Sequence, residues 1–286
     1  MKRINPRAAV LGKPIAHSLS PTLHHAAYEA LSLKEWRYER HEVDESHLEG
    51  FLAQCDDSWV GLSLTMPLKQ VALRLVDVVE PLAQTVGAIN TILFSPGRLL
   101  VGANTDVYGI VESIRQARPQ AQTSHPARGV IVGGGATSAS AIAALGELGI
   151  KNPTVLVRSL ARSGAVIKAA NAMGLDIQLE VLGTAKGNTA VKQAEVMIST
   201  IPSGAAADLI PLLADQLGQQ HTLLDVIYEG WPTPLAAAWA KRGGSVAPGY
   251  DMLLYQACEQ VRLMTGKPAP VDAMRQALYG ALEIGE

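Results

Sequence analysis

Short apolar runs alternate along the chain with longer stretches in which apolar residues recur at helical spacing. Ala8 to Leu11 precedes a helix opening at Pro21, Trp36 to Val43 precedes one near Ser46 to Gln54, and Val60 to Leu64 precedes one after Pro67. Each run has the length of a buried strand, and each patterned segment is long enough to carry the chain back to the same sheet edge. The rhythm therefore predicts strand–helix units and a largely parallel sheet. Two further strands, Ala88 to Phe94 and Leu99 to Asn104, flank Ser95-Pro96-Gly97-Arg98, which has the composition of a hairpin turn. The polar stretch Arg118 to Arg128 reads as a loop leading to a second rhythm. Its strands are Gly129 to Val132, Thr154 to Val157, Ile177 to Val181, Val196 to Ser199 and Thr222 to Val226, and two patterned helices follow, Tyr250 to Met264 and Val271 to Leu282. The fold class is α/β.

Composition narrows the function. A chain of 286 residues exceeds the ~250 residues at which single cores usually stop growing, so two domains are expected. Apolar residues make up 48% and charged residues 17%, which excludes a disordered chain. With 24 basic against 26 acidic residues, no overall field draws nucleic acid or an anionic membrane, and any anionic ligand must be held by local groups. Cys55 and Cys258 lie far apart and outside any zinc-like spacing, so neither a disulfide scaffold nor a metal site is expected. The apolar run Ala8 to Leu11 is too short for a signal-peptide core, and no stretch of ~18 apolar residues occurs. A cytoplasmic protein acting on small molecules is expected.

Val130-Ile131-Val132 runs into Gly133-Gly134-Gly135-Ala136-Thr137-Ser138, followed by small, helix-compatible residues from Ala139 to Leu148. A dinucleotide diphosphate needs close backbone approach and free N–H groups at a helix N-terminus, and this segment offers both; a turn kept only for chain reversal would look similar without such flanks. The next strand ends at Arg158, where NAD-binding chains usually carry an acid for the ribose 2′-hydroxyl. Arg158 and Arg162, with Ser159 between them, suit a 2′-phosphate, so NADP(H) is expected over NAD(H), unless both arginines are simply solvated.

The first half holds polar groups open to two readings. Ser18-Leu19-Ser20-Pro21 fits a helix start with Ser20 as N-cap, and equally a carboxylate site built from two hydroxyls and helix N–H groups. Lys69, in the predicted first helical turn after Pro67, sits at the wrong end of the dipole for a cation; it is either a surface lysine or an amine set to exchange a proton. Gly87-Ala88-Ile89-Asn90-Thr91 and Gly102-Ala103-Asn104-Thr105-Asp106 repeat an Asn-Thr theme, each alone compatible with turn chemistry.

In order and spacing, these motifs resemble the shikimate dehydrogenase family over nearly the whole length. Added to them are Gly12-Lys13-Pro14-Ile15, His24, Gly61, Leu64-Thr65-Met66-Pro67-Leu68-Lys69, Gly109, Asp225-Val226-Ile227-Tyr228, Thr233-Pro234-Leu235, and Gly249-Tyr250-Asp251-Met252-Leu253 with Gln256. The resemblance implies a substrate-binding α/β domain at residues 1–105 and 250–286. It implies a Rossmann-type NADP-binding domain at residues 106–249, so that the C-terminal helices return to the substrate domain. It also implies reversible NADPH-dependent reduction of 3-dehydroshikimate to shikimate by a monomer or homodimer, with Lys69 as acid/base paired with Asp106. Ser18 and Ser20 would bind the substrate carboxylate with Tyr228 nearby, and Thr65, Asn90, Asp106 and Gln256 the ring hydroxyls. Gly133, Gly134, Gly135, Ala136, Arg158, Ser159, Arg162 and Gly249 would bind the cofactor.

Several positions depart from the family pattern: His25 and Ser63 stand where Asn is usual, Ala136 replaces a glycine, Ala139 an arginine, Val157 an asparagine and Met264 a tryptophan. Ser63 is expected to alter the polar wall beside Thr65, and the loop changes to loosen the grip on the cofactor phosphates. The alternatives are an NAD-preferring quinate/shikimate dehydrogenase, against which Arg158 counts, and a non-catalytic dinucleotide sensor, which would need neither Lys69 nor Asp106.

Overall fold

The computed structural model describes residues 4–118 and 127–284, so most of the predicted loop from Arg118 to Arg128 falls outside the described residues. The chain divides into two compact units, one of Met1–Thr105 with Leu253–Glu286 and the other of Asp106–Met252.

The first unit contains β1 (Arg7–Gly12), α1 (Ser20–Ala30), β2 (Arg37–Glu42), α2 (Leu48–Gln54), β3 (Trp59–Leu64), β4 (Val78–Val79), α3 (Pro81–Val86), β5 (Thr91–Phe94) and β6 (Leu100–Ala103). The strands form one sheet in the order β2-β1-β3-β5-β6-β4. β1 runs parallel to β2 and β3, while β5 is antiparallel to both β3 and β6, so the sheet is mixed. The central strands β1 and β3 are almost wholly buried, as their mainly apolar runs require, with Ser63 the polar residue inside β3. β2 carries charge along the sheet edge and buries Tyr38, a pattern that discourages further strand pairing. Leu11, Leu48, Leu62, Leu64, Leu68, Ile89 and Ile92 fill the core beneath.

Two expectations are corrected here. No α-helix follows Pro67: residues 66–70 form turns, then a single 3₁₀ turn spans Val71–Arg74. The Lys69 carbonyl is taken by Ile89 N–H at 2.8 Å rather than by an amide one turn ahead. The strand predicted from Ala88 begins at Thr91, because the amides of Ala88, Ile89 and Asn90 bond to Ala83, Lys69 and Ala103 in turn. The short α3 was readable in retrospect, with Pro81 in its first turn and Gly87 closing it at φ 72°.

The second unit contains α4 (Asp106–Ala117), β7 (Gly129–Val132), α5 (Ala136–Glu147), β8 (Thr154–Val157), α6 (Gly164–Met173), β9 (Gln178–Val181), α7 (Ala185–Gln193), β10 (Val196–Ser199), α8 (Ser203–Ala206), β11 (Thr222–Asp225), α9 (Pro234–Lys241) and β12 (Ser245–Pro248). All its strands are parallel, in the order β12-β11-β10-β7-β8-β9. This is the doubly wound Rossmann order, whose direction of winding reverses between β7 and β10. α10 (Gly249–Thr265) begins in this unit and ends in the first, where α11 (Val271–Ala281) packs against α1. Among the described residues, no helix is long and apolar enough to cross a membrane.

Candidate active site

In the first unit, strand register gathers the polar motifs at one end of the sheet. Ser63 on β3 pairs with Thr91 on β5, and Thr91 pairs with Ala103 on β6. Because β5 is antiparallel to both neighbours, the end of β3, the start of β5 and the end of β6 coincide. Backbone bonds extend this edge: Leu64 N–H donates to Asn90 C=O at 2.7 Å and Thr65 N–H to Leu11 C=O at 2.9 Å. Thr65, Asn90 and the turn bearing Lys69 are thus brought together by main-chain bonds, Lys69 through the Ile89 amide.

Asn90 is 1% exposed. Its Oδ1 accepts from Thr105 N–H at 2.8 Å and Thr91 Oγ1–H at 2.9 Å, while Nδ2 donates to Thr105 Oγ1 at 2.9 Å. Gln256 on α10 is buried, and its Nε2 donates to Leu253 C=O at 2.9 Å. The capping expectation for Ser20 is corrected: Leu19 occupies the cap position, no side chain caps α1, and Ser20 is its first residue. The Ser18 Oγ instead accepts the Ser20 N–H at 3.3 Å, which leaves its own O–H as a donor. Ser20 turns inward, and its hydroxyl bonds Tyr38.

Ser63 also differs from expectation. It does not line a polar wall, because its hydroxyl accepts from Tyr38 O–H at 2.6 Å and donates to Gln260 Oε1 at 2.8 Å. Tyr38 and Gln260 were missed by sequence reasoning. Their signals were weak: one inward aromatic on a charged strand, and a second glutamine one helical turn after Gln256.

In the second unit, Asp106 opens α4 and is nearly buried; a carboxylate there faces the positive end of the helix dipole. β7 ends at the switch point, where ligands of doubly wound sheets bind. Gly133 adopts φ 129°, and a Cβ there would strike Thr200 Oγ1 and lie 2.9 Å from Ser138 Oγ. Thr200 Oγ1 donates to Val132 C=O at 2.9 Å, so Ser138, 2.7 Å away, must donate to Thr200. The loop is therefore pinned behind the glycines, while beside Gly135, which caps α5, a Cβ would meet nothing within 4 Å.

Gly133, Gly134, Gly135, Arg158 and Ser159 line one cavity of about 460 Å³, with Leu156, Val157, Leu182 and Ile201 as its apolar part. A bare backbone, a helix N-terminus and an exposed guanidinium at the end of the next strand suit a dinucleotide carrying an extra phosphate. Ala136 is the first residue of α5. The side chain of Arg162 lies outside the described residues. Gly249 opens α10 against the end of β11, where a Cβ would fall 2.6 Å from Asp225 and Val226 carbonyl oxygens, so backbone contact alone demands glycine.

Tyr228 follows β11, and burial together with the Glu229 charge pushes its phenol pKa up, keeping it a neutral donor. Asp225 accepts from Thr233 Oγ1–H at 2.7 Å and, more weakly, from Ile227 N–H, tying both ends of the loop that carries Tyr228. Trp231, on the same loop, packs edge-on against Tyr250 with ring centres 5.5 Å apart.

Comparison with known proteins bears on both units. A family model described as the shikimate dehydrogenase substrate binding domain matches residues 10–92, and one described as the shikimate 5′-dehydrogenase C-terminal domain matches residues 249–279. The shikimate dehydrogenase (NADP(+)) of Natronomonas pharaonis is 31% identical, over 96% of this chain and 98% of that protein. The pentafunctional AROM polypeptide of Scheffersomyces stipitis is 32% identical, and the match spans 18% of its length. Among solved structures, shikimate dehydrogenase of Mycobacterium tuberculosis superposes with TM-score 0.86 at 38% identity, covering 96% of this chain and 99% of that one. The Thermus thermophilus enzyme in complex with NADP(H) and shikimate gives 0.80 at 28%, with the same coverage. A quinate dehydrogenase from Corynebacterium glutamicum in complex with NAD gives 0.83 at 25%, again with the same coverage.

Proposed function

Because the chain belongs to the shikimate dehydrogenase family, we propose that it catalyses the reversible NADPH-dependent reduction of 3-dehydroshikimate to shikimate, a step of chorismate and aromatic amino acid biosynthesis. The observation that carries the reading is the glycine loop at the switch point with Arg158 on its cavity, in one chain with the anchored Lys69 turn. Residues 1–105 and 250–286 bind the substrate, and residues 106–249 bind the cofactor. The protein works in the cytoplasm as a monomer or homodimer.

Backbone amides of Gly133, Gly134, Gly135 and Ala136 hold the diphosphate, and Arg158, Ser159 and Arg162 hold the 2′-phosphate, with Gly249 beside the cofactor. NADP(H) supplies the hydride when bound. Ser18, Ser20 and the neutral Tyr228 phenol bind the substrate carboxylate; Thr65, Asn90, Asp106 and Gln256 orient the ring through its hydroxyls. As negative charge builds on the substrate C3 oxygen, the Lys69 ammonium stabilises it and transfers a proton from Nζ to that oxygen. The Asp106 carboxylate holds the amine in place. In the oxidative direction neutral Lys69 takes the proton back from the C3 hydroxyl.

The test is an absorbance assay at the nicotinamide band with purified protein and shikimate or quinate, each with NADP+ or NAD+. Fastest turnover of shikimate with NADP+ is expected. A preference for quinate with NAD+ would replace this reading by the quinate dehydrogenase one, and no turnover with any pair would leave a dinucleotide sensor.

A further inference from the structure

Behind the candidate substrate residues lies a polar cluster that the proposed mechanism does not use. Tyr38, Ser63, His24 and Gln260 are at most 4% exposed, and they come from β2, β3, α1 and α10. Burial of this many polar groups is costly unless each finds a partner, and the proton directions can be worked out one by one.

Gln260 Nε2 faces two oxygens, Thr91 Oγ1 at 3.0 Å and the Asn90 carbonyl at 3.4 Å. The carbonyl can only accept, so the amide nitrogen must point there and Oε1 must point the other way. Oε1 receives Ser63 O–H at 2.8 Å and lies 3.3 Å from His24 Nε2. An acceptor oxygen requires His24 to carry its proton on Nε2, which makes Nδ1 the acceptor toward Tyr28 O–H. Tyr38 stacks on the His24 ring at 3.9 Å between centres and gives its only proton to Ser63 at 2.6 Å. Its oxygen therefore accepts from Ser20. On the other side, Thr91 Oγ1 donates to Asn90 Oδ1 at 2.9 Å.

We propose that Tyr38, Ser63 and Gln260 form a buried relay, with Gln260 as its hub, that positions Ser20 at one end and Asn90 at the other. It sets affinity for a carboxylate-bearing polyhydroxylated ring by acting through those two residues. This rests on the proposed function in taking Ser20 and Asn90 as substrate contacts. In the free protein the Ser20 proton goes to Tyr38. When a carboxylate binds, the Ser20 O–H turns to it and the Tyr38 O–H turns from Ser63 to the Ser20 oxygen, so Tyr38 holds the Ser20 side chain in one rotamer as a donor to the carboxylate. Gln260 fixes the Asn90 carbonyl directly and the Asn90 amide through Thr91. It also locks the register of α10, on which Gln256 stands one turn earlier. The serine at position 63 thereby gains a role of its own, since a hydroxyl can both accept from Tyr38 and donate to Gln260.

Tyr38→Phe and Ser63→Ala each remove a hydroxyl with almost no change of shape. Steady-state rates with shikimate and NADP+ should show KM for shikimate raised about three- to tenfold in each, the scale of one neutral hydrogen bond. kcat and KM for NADP+ should stay within about twofold. The double variant should be no more than about twofold worse than the poorer single one, because either break opens the same chain. Gln260→Met should raise KM at least as much; if leaving several buried groups unpaired prevents its folding, the two hydroxyl deletions decide alone. A lower melting temperature with unchanged KM for shikimate would make the cluster structural only and overturn the proposal. So would an equal rise in KM for NADP+, or penalties that multiply in the double variant. Failure of the wild-type protein to oxidise shikimate would instead strike at the proposed function, so the two failures are distinguishable.

Discussion

In the first unit the candidate binding groups are side chains whose directions are enforced from behind by Tyr38, Ser63, Gln260 and Thr105. In the second unit they are main-chain amides of a glycine loop, pinned by one serine–threonine bond and opened to solvent by the absence of side chains. The two sheets have the same number of strands but different wiring. The parallel sheet presents a helix N-terminus at its switch point with little further construction. The mixed sheet must collect the ends of β3, β5 and β6 before any side chain can be aimed. A backbone site of the first kind tolerates change wherever no Cβ intrudes. A side-chain site of the second kind is exposed to isosteric changes at residues that never meet the ligand.

The largest effect that would break this comparison concerns Lys69, a side chain on a turn held by main-chain bonds. Lys69→Ala should lower kcat by roughly 10²- to 10⁴-fold with a much smaller effect on KM, the usual scale for general acid–base catalysis. Turnover near wild type would remove Lys69 from the chemistry and leave the first unit with binding groups only.

Next comes Arg158, the charged side chain that lines the cofactor cavity. Arg158→Ala should reduce kcat/KM for NADP+ about ten- to a hundredfold, because charge-assisted bonds to a phosphate contribute roughly 1.5–3 kcal/mol, while NAD+ should be nearly indifferent. Arg158→Asp should go further, since a carboxylate repels the 2′-phosphate and accepts from free ribose hydroxyls. The ratio of kcat/KM for the two cofactors across wild type and both variants is the measurement. A constant ratio would show that Arg158 is a solvated bystander in the choice of cofactor.

The same contrast explains what could be read in advance. The second unit was legible almost strand by strand, because buried parallel strands are uninterrupted apolar runs and the glycine loop sits between strand and helix in the sequence itself. The first unit was legible as elements but not as a site. Nothing in the residues around Lys69 announces that its carbonyl is claimed by Ile89, which turns a predicted helix into a turn. Nor can Ser63 reveal its direction, since Tyr38 and Gln260 are brought to it only by the fold. Long-range partners of this kind leave no local pattern, whereas caps and turns such as Pro81 and Gly87 do.

The smallest predicted effect uses pH to set the two buried interiors against each other. Burial lowers the His24 pKa from 6.5 to about 3, partly opposed by its bond to Gln260. Above pH 6.5 the ring is neutral whether the chain is folded or unfolded, and His24 makes no pH-dependent contribution. As pH falls below 6.5 the unfolded chain takes up a proton that the folded protein refuses until about 3, so stability declines across that window. The slope from this residue is about 1.4 kcal/mol per pH unit, or about 2 kcal/mol between pH 6.5 and 5. Asp225 in the second unit has the opposite sign: burial raises its pKa, so its desolvation disfavours the fold once the unfolded carboxyl ionises, and acid relieves that cost. Urea unfolding of wild type and His24→Gln at pH 7.5, 6 and 5 separates the contributions, because the other histidines titrate in both proteins. The variant should be less stable at pH 7.5 yet lose less on acidification, so the two stability curves should converge toward pH 5. Parallel curves would mean that His24 accepts a proton in the folded protein. An imidazolium donates from both nitrogens, so the Nε2–H bond to Gln260 would survive, and the bond between Tyr28 and Nδ1 would have to be redrawn with the ring as donor.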